Sequence, residues 1–380
     1  MNDERRGKGE MKRIFAAALL LCLLLCGCKR IYPNEYLKIS EHNAPYAYKQ
    51  DSSDGQNNAA PTPEVSDYYA LRSALTGFVT TGVEHGQVQM RNYRGDAEQD
   101  INRVKIYLTE EEPVCAYAID YINLERRQNE DGWLLTVDAV YRRSVREIES
   151  ILFVRGNSAA LEAMLSSMTQ FQNSVTVRIS GYYEEDFVRS LTDYCKLHPE
   201  LMCVIPEITT AVYPEVGNVR VVEVHFQYPN ESQDLRNMRS EADSILSSAY
   251  NYIRYTPEDG EKLRLISGYF SSRFPYREDE ENATVYSLLC EGVGSSVSYA
   301  SVVNYLCVKI GLNSWIVSGT LDGEPHDWNI IEVDGICWHY DYHQAAIRGA
   351  ESHPMTDAQM AGYEWDTELY PACTGAAPAE

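Results

Sequence analysis

The sequence predicts an α+β protein in which helices pack on an antiparallel sheet toward the C-terminus, preceded by a separate α+β domain. Three observations carry this. "SQDLRNMRSEADSILSSAYNYI" places Leu235, Met238, Ala242, Ile245, Leu246 and Ala249 on one helical stripe. "EPHDWNIIEVDGICWHYDYHQ" centres on Asp334-Gly335, the pair favoured in a two-residue type I′ hairpin turn. Upstream, "NVRVVEVHFQY" alternates apolar and polar residues as an antiparallel strand does.

Residues 1–27 read as a signal peptide. Lys12 and Arg13 precede an apolar run from Ile14 to Cys26, the length of a signal core and short of the roughly 20 residues needed to span a bilayer. Leu25-Cys26-Gly27-Cys28 resembles a bacterial lipobox, which implies lipidation at Cys28. Residues 28–65, rich in Asn, Ser, Pro, Gly and Asp, read as a flexible linker. The expectation is an extracytoplasmic protein whose partner is the membrane, through an N-terminal lipid anchor.

The chain of 380 residues carries 33 basic and 56 acidic side chains. Removing residues 1–27 takes five basic and three acidic residues, leaving a net charge of −25. Such a surface repels nucleic acid, so a nucleic-acid partner is excluded. Seven cysteines remain beyond Cys28, at 115, 195, 203, 290, 307, 337 and 373. No pair has C-x-x-C spacing and no Cys/His cluster has metal-ligand spacing, so neither a metal nor another cofactor is expected. Bridging of Cys195 with Cys203, or of Cys115 with a distant residue, stays open.

Residues 66–230 read as an α+β domain of unknown role. "DYYALRSALTGFVTTGV", "SAALEAMLSSMTQF" and "EEDFVRSLTDYCKLH" are helical; "SVTVRIS" is a strand. "VCAYAIDYINLE" and "GWLLTVDAVYRRSV" read as strands joined by the polar turn "RRQNEDG". From 231 to 380 a second domain is expected. Its second helix starts with Thr256 as N-cap and Pro257 at the first helical position. Another helix carries Tyr299, Val302, Val303, Leu306, Cys307 and Ile310 and ends at Gly311. Ser295 or Ser296 stands at its entrance, where a side-chain oxygen can cap free amides.

The hairpin turn sets a register. If Val333 faces Ile336, paired residue numbers sum to 669, and Trp328 lies opposite Asp341 and His326 opposite His343. Side chains alternate with period two, so His326, Trp328, Ile330 and Asp341 share one face. His326 and Asp341 become diagonal neighbours, within side-chain reach. That supplies a base and an orienting carboxylate downstream of a helix start.

At these residues the chain resembles the transglutaminase-like domains, relatives of papain-type cysteine proteases. Their pattern runs G-x-G-V-C-x-G-Y-A, then G-I/L, a strand ending V-x-G, H-A-W-N and W-Y-x-V-D. Here Gly292 to Ala300, Gly311-Leu312, Val317-Ser318-Gly319, His326-Asp327-Trp328-Asn329 and Trp338 to Asp341 follow in order, over about residues 240–375. The resemblance implies a catalytic triad at Ser296, His326 and Asp341, with Tyr299, Trp328 and Asn329 lining the site. The family's nucleophilic cysteine falls on Ser296, the preceding Val on Ser295, and the Gly two residues on at Ser298.

That departure sets the functional expectation. A helix N-terminus and an imidazolium bring a thiol of pKa about 8.5 into the thiolate range, whereas a serine hydroxyl is far more basic. The serine needs concerted proton removal by His326. The first expectation is therefore a domain that has lost catalysis and binds peptide, protein or cell-envelope ligands. The alternative is an acyl-transfer or amide-hydrolysing enzyme using Ser296-His326-Asp341. A third expectation puts the function in residues 66–230.

Overall fold

The computed structural model describes residues 62–274 and 283–375; the signal sequence, Cys28 and the linker up to residue 61 lie outside them. The first sheet is built from β1 (Glu64–Val65), helix α1 (Tyr68–Thr80), β2 (His85–Met90), helix α2 (Ala97–Ile106) with a π-helical turn over Tyr107–Glu111, helix α3 (Pro113–Ala118), β3 (Ile119–Asn129), β4 (Gly132–Tyr141) and helix α4 (Val145–Glu149). Its order is β1-β2-β4-β3. Leu71, Leu75 and Val79 recur at helical spacing along α1 and are buried with Val88, Met90 and Leu135.

Two expectations fail here for local reasons. Val114–Ala118 is helix, not strand: Pro113 opens the turn and Glu112 accepts from the Val114 amide at 2.6 Å, while the apolar run is buried on all sides. A short apolar run does not distinguish the two by periodicity. The turn after β3 is also tighter than expected, because Arg126–Asn129 still pair with β4.

The second sheet follows with β5 (Leu152–Arg155), helix α5 (Gly156–Thr169), β6 (Ser174–Ser180), helix α6 (Phe187–Leu197), β7 (Glu207–Tyr213) and β8 (Val219–Gln227), in the order β5-β6-β8-β7. Its core is continuous with that of the next helices: Met164, Leu191 and Val222 belong to the same buried cluster as Leu246, Ile266, Leu288 and Val302. The first and second sheets are tied by Glu223 of β8, a buried carboxylate held by the Arg143 guanidinium.

Helices α7 (Ser232–Ile253), α8 (Asp259–Arg273), α9 (Val285–Glu291) and α10 (Ser296–Lys309) come next. Helix α7 matches the sequence reading residue for residue. Helix α8 begins later than expected, with Glu258 rather than Thr256 at the N-cap; Thr256 instead closes the end of the preceding helix, its amide donating to Ile253 O at 3.1 Å. Helix α10 is buried around most of its circumference, from Ser298 to Cys307. Gly311 follows it at φ +87°, the left-handed conformation of a C-terminal cap.

The third sheet is wholly antiparallel: β9 (Ser314–Leu321), β10 (Glu324–Val333), β11 (Ile336–Tyr340), then helix α11 (Tyr342–Ile347) and β12 (Tyr363–Glu364), in the order β11-β10-β9-β12. Helices on antiparallel and mixed sheets make this an α+β fold. Asp334 and Gly335 both have positive φ, as a type I′ turn requires, and Asn329 pairs with Tyr340, the expected register. All seven cysteines among the described residues are free. Among those residues, no helix is long and apolar enough to cross a membrane.

Candidate functional site

The hairpin delivers the pair that its parity predicted. His326 Nε2 lies 2.7 Å from Asp341 Oδ2, and both side chains are buried. The strand ends one residue earlier than expected, so Asp341 is not in β11 but caps α11, accepting from the Gln344 amide at 2.8 Å. His343 therefore sits in helix α11, its ring 5.5 Å from that of His326, rather than across a strand from it. Tyr363 of β12 donates its hydroxyl to Asp341 Oδ2 at 2.8 Å. Burial opposes ionisation of Asp341, but hydrogen bonds from His326, the Gln344 amide and Tyr363 override it and hold the carboxyl below its ordinary range.

Ser296 is the first residue of α10, with Ser295 at the N-cap. The Ser295 side chain makes no capping bond to the helix; its hydroxyl donates to Ala283 O at 3.2 Å. Ser296 Oγ accepts from the backbone N–H of Asp327 at 3.2 Å, one residue along β10 from His326. Among the described residues, no hydrogen bond joins Ser296 to His326. Ser296, His326 and Asp341 thus lie around one end of β10, but only His326 and Asp341 are joined by a hydrogen bond.

The expected lining residues each have a structural partner. Tyr299 donates its hydroxyl to Phe274 O at 3.2 Å, and Asn329 Nδ2 donates to Ala300 O at 3.0 Å, fixing β10 on α10. Trp328 lies on the His326 face, stacked beside it with ring centroids 6.2 Å apart. Its indole N–H donates to His339 Nδ1 at 2.9 Å, and His339 Nε2 is 2.8 Å from Asp357. Gly319, the glycine of the Val317-Ser318-Gly319 motif, allows this packing: a Cβ there would lie 2.2 Å from Glu364 O and 2.9 Å from the Trp328 ring.

His339, Asp357 and Cys373 offer donor atoms within 4.8 Å of one another. The indole of Trp328 can only donate, so it fixes the lone pair of His339 on Nδ1 and the proton on Nε2, facing Asp357. A metal bound at Nε2 would displace that proton while Nδ1 still had to accept from the indole, so this donor set does not fit a metal. Burial lowers the His339 pKa, consistent with a neutral ring. The network instead pins the C-terminal segment, through Asp357 and the Cys373 amide, onto the sheet.

Cys290 is the cysteine nearest to Ser296 in sequence. Cys290 lies on α9, where burial and the neighbouring Glu241 carboxylate push its pKa up to about 11, away from the thiolate range. Two further residues of the site were not read from the sequence. Tyr363 comes from a segment with no strand periodicity. Lys196 of α6 reaches Asp327 Oδ1 at 2.7 Å from a different sheet layer. Beside the start of α10, a cleft of about 470 Å³ opens between Val297, Ser298 and Ser301 on one wall and Glu207, Gln227 and Tyr228 on the other.

No protein-family model matches the chain, and no curated protein matches it. Among solved structures, it is similar to a transglutaminase (TGase) at 10% identity and TM-score 0.24, over 45% of this chain and 51% of that one. It is also similar to a candidate cysteine protease from Cytophaga hutchinsonii, at 12% identity and TM-score 0.24, over 42% and 70% of the two chains. A candidate protease from Parabacteroides distasonis matches at 8% identity and TM-score 0.21, over 56% and 46%. The chain thus spans about half the length of the transglutaminase it matches.

Proposed function

We propose that this protein is a membrane-tethered extracytoplasmic lipoprotein whose transglutaminase-like region binds peptide or cell-envelope ligands without reacting with them. The observation that carries the reading is the environment of position 296. Its side chain is a hydroxyl, and that oxygen accepts from the Asp327 amide instead of donating to His326. An amide N–H aimed at this atom would stabilise a thiolate, whereas a neutral hydroxyl also needs a base, and among the described residues no hydrogen bond joins Ser296 to His326. The cleft beside the same helix start falls within the roughly 300–1,000 Å³ usual for ligand sites. The assembled His326–Asp341 pair favours a second reading, acyl transfer or amide hydrolysis by a serine triad.

A fluorophosphonate probe separates the two. On the binding reading the wild-type protein is not labelled, while Ser296→Cys gains amine-incorporation or amidase activity. Labelling of wild type that is lost in Ser296→Ala overturns it. The tether is tested by metabolic fatty-acid labelling, which Cys28→Ala abolishes if Cys28 is the lipidated residue.

A further inference from the structure

Lys196 belongs to α6, on the second sheet, yet its ammonium ends at the third. It donates to Asp327 Oδ1 at 2.7 Å and to Ser318 Oγ at 2.8 Å, and the Ser318 hydroxyl also donates to Asp327. Ser318 and Asp327 are cross-strand partners in β9 and β10. The two charged side chains are each only 15% exposed, so this is a largely buried pair rather than a solvated surface contact. Asp327 is also the residue whose N–H reaches Ser296 and whose neighbour is His326. One residue therefore joins a cation from α6 to the atom that holds the side chain at 296.

We propose that Lys196 is a positioning residue for the side chain at position 296. It neutralises Asp327 and fixes the strand segment whose amide engages position 296. The inference goes beyond the binding reading and uses it only to place the probe. The charges that bear on a group at 296 in this arrangement are Lys196 and Asp327 on one side, and His326 with Asp341 on the other. Removing the lysine leaves the carboxylate uncompensated on Asp327, the residue whose own amide reaches Ser296. A thiolate at 296 then feels a like charge and is disfavoured.

The test uses Ser296→Cys in the full chain, with alkylation of the introduced thiol by iodoacetamide followed at neutral pH by peptide mass spectrometry. Adding Lys196→Met slows alkylation, by up to about tenfold for a one-unit rise in a thiol pKa that ends above the assay pH. Lys196→Arg keeps the parent rate, and Lys196→Met with Asp327→Asn restores it because both charges are gone. If Lys196→Met leaves the rate within about twofold while His326→Ala still changes it, the positioning role is overturned and the binding reading stands. If neither substitution changes the rate, the assignment of position 296 fails as well. Should Lys196→Met not fold, Asp327→Asn alone decides. It removes the anion but keeps the amide, so it speeds alkylation, and an unchanged rate overturns the proposal.

Discussion

Asp341→Asn is the sharpest test of how the site is held together. The wild-type carboxylate accepts three hydrogen bonds, from His326 and Tyr363 on Oδ2 and from the Gln344 amide on Oδ1. Asparagine keeps one acceptor oxygen, so at least one buried donor must face its amide NH2 group. With the oxygen turned toward His326 and Tyr363, the cap on α11 is lost. The stranded Gln344 donor is that cap, and an unsatisfied buried donor costs about 1–3 kcal/mol, so the substitution destabilises by about 1–3 kcal/mol. Urea denaturation followed by far-UV circular dichroism measures this at neutral pH. The pH dependence gives an independent check. The folded carboxyl lies below its unfolded value of about 3.9, so its contribution is complete above that pH and is lost as pH falls through the folded value. The gap between wild type and Asp341→Asn therefore narrows in acid. A loss below about 0.5 kcal/mol at neutral pH, or a gap that stays constant into acid, refutes the network as described.

Glu223→Ala strands the Arg143 guanidinium between the first two sheets. It should cost about 3–5 kcal/mol, read as a large drop in thermal midpoint; a change within the range of ordinary surface substitutions would show that the pair is not a junction. Gly319→Ala drives a Cβ into Glu364 O and the Trp328 ring, displacing β12 at a cost of about 1–3 kcal/mol. Limited proteolysis should then release the C-terminal segment that carries Tyr363, and an unaltered cleavage pattern would contradict the packing.

What was legible in the sequence follows from range. The Asp334-Gly335 turn and period-two parity are local, and together they are enough to bring His326 and Asp341 to one face. Helix α7 was equally legible, because one apolar stripe runs its whole length. Tyr363 and the His339–Asp357 contact were not, since the segment from 355 to 373 takes its place by packing on Val317 and Trp328 rather than by any repeating pattern. Lys196 lies 131 residues from Asp327 in the chain, and an exposed-looking lysine at the end of a helix carries no signal of where its ammonium ends. At α3 the failure was of another kind. An apolar run with aromatic residues suits a buried strand as well as a buried helix, and the Glu112-Pro113 entrance decided between them.

The His326–Asp341 pair does not by itself argue for catalysis. Asp341 caps α11, anchors the C-terminal segment through Tyr363 and holds His326 on β10, so three elements depend on it whatever stands at 296. Its presence has a structural reason. A reactive serine needs something more specific, an O–H directed to His326, with separate donors left for the oxyanion. Here the donor that reaches Oγ is the Asp327 amide, which takes up one of the oxygen's two lone pairs, and among the described residues no hydrogen bond from Ser296 to His326 accompanies it. For a thiolate the same N–H lowers the energy of the nucleophile, because that nucleophile is already an anion. For a hydroxyl it holds the resting state. A hydrogen bond from Ser296 to His326, more than the presence of the His–Asp pair, is therefore what a test of catalysis must find.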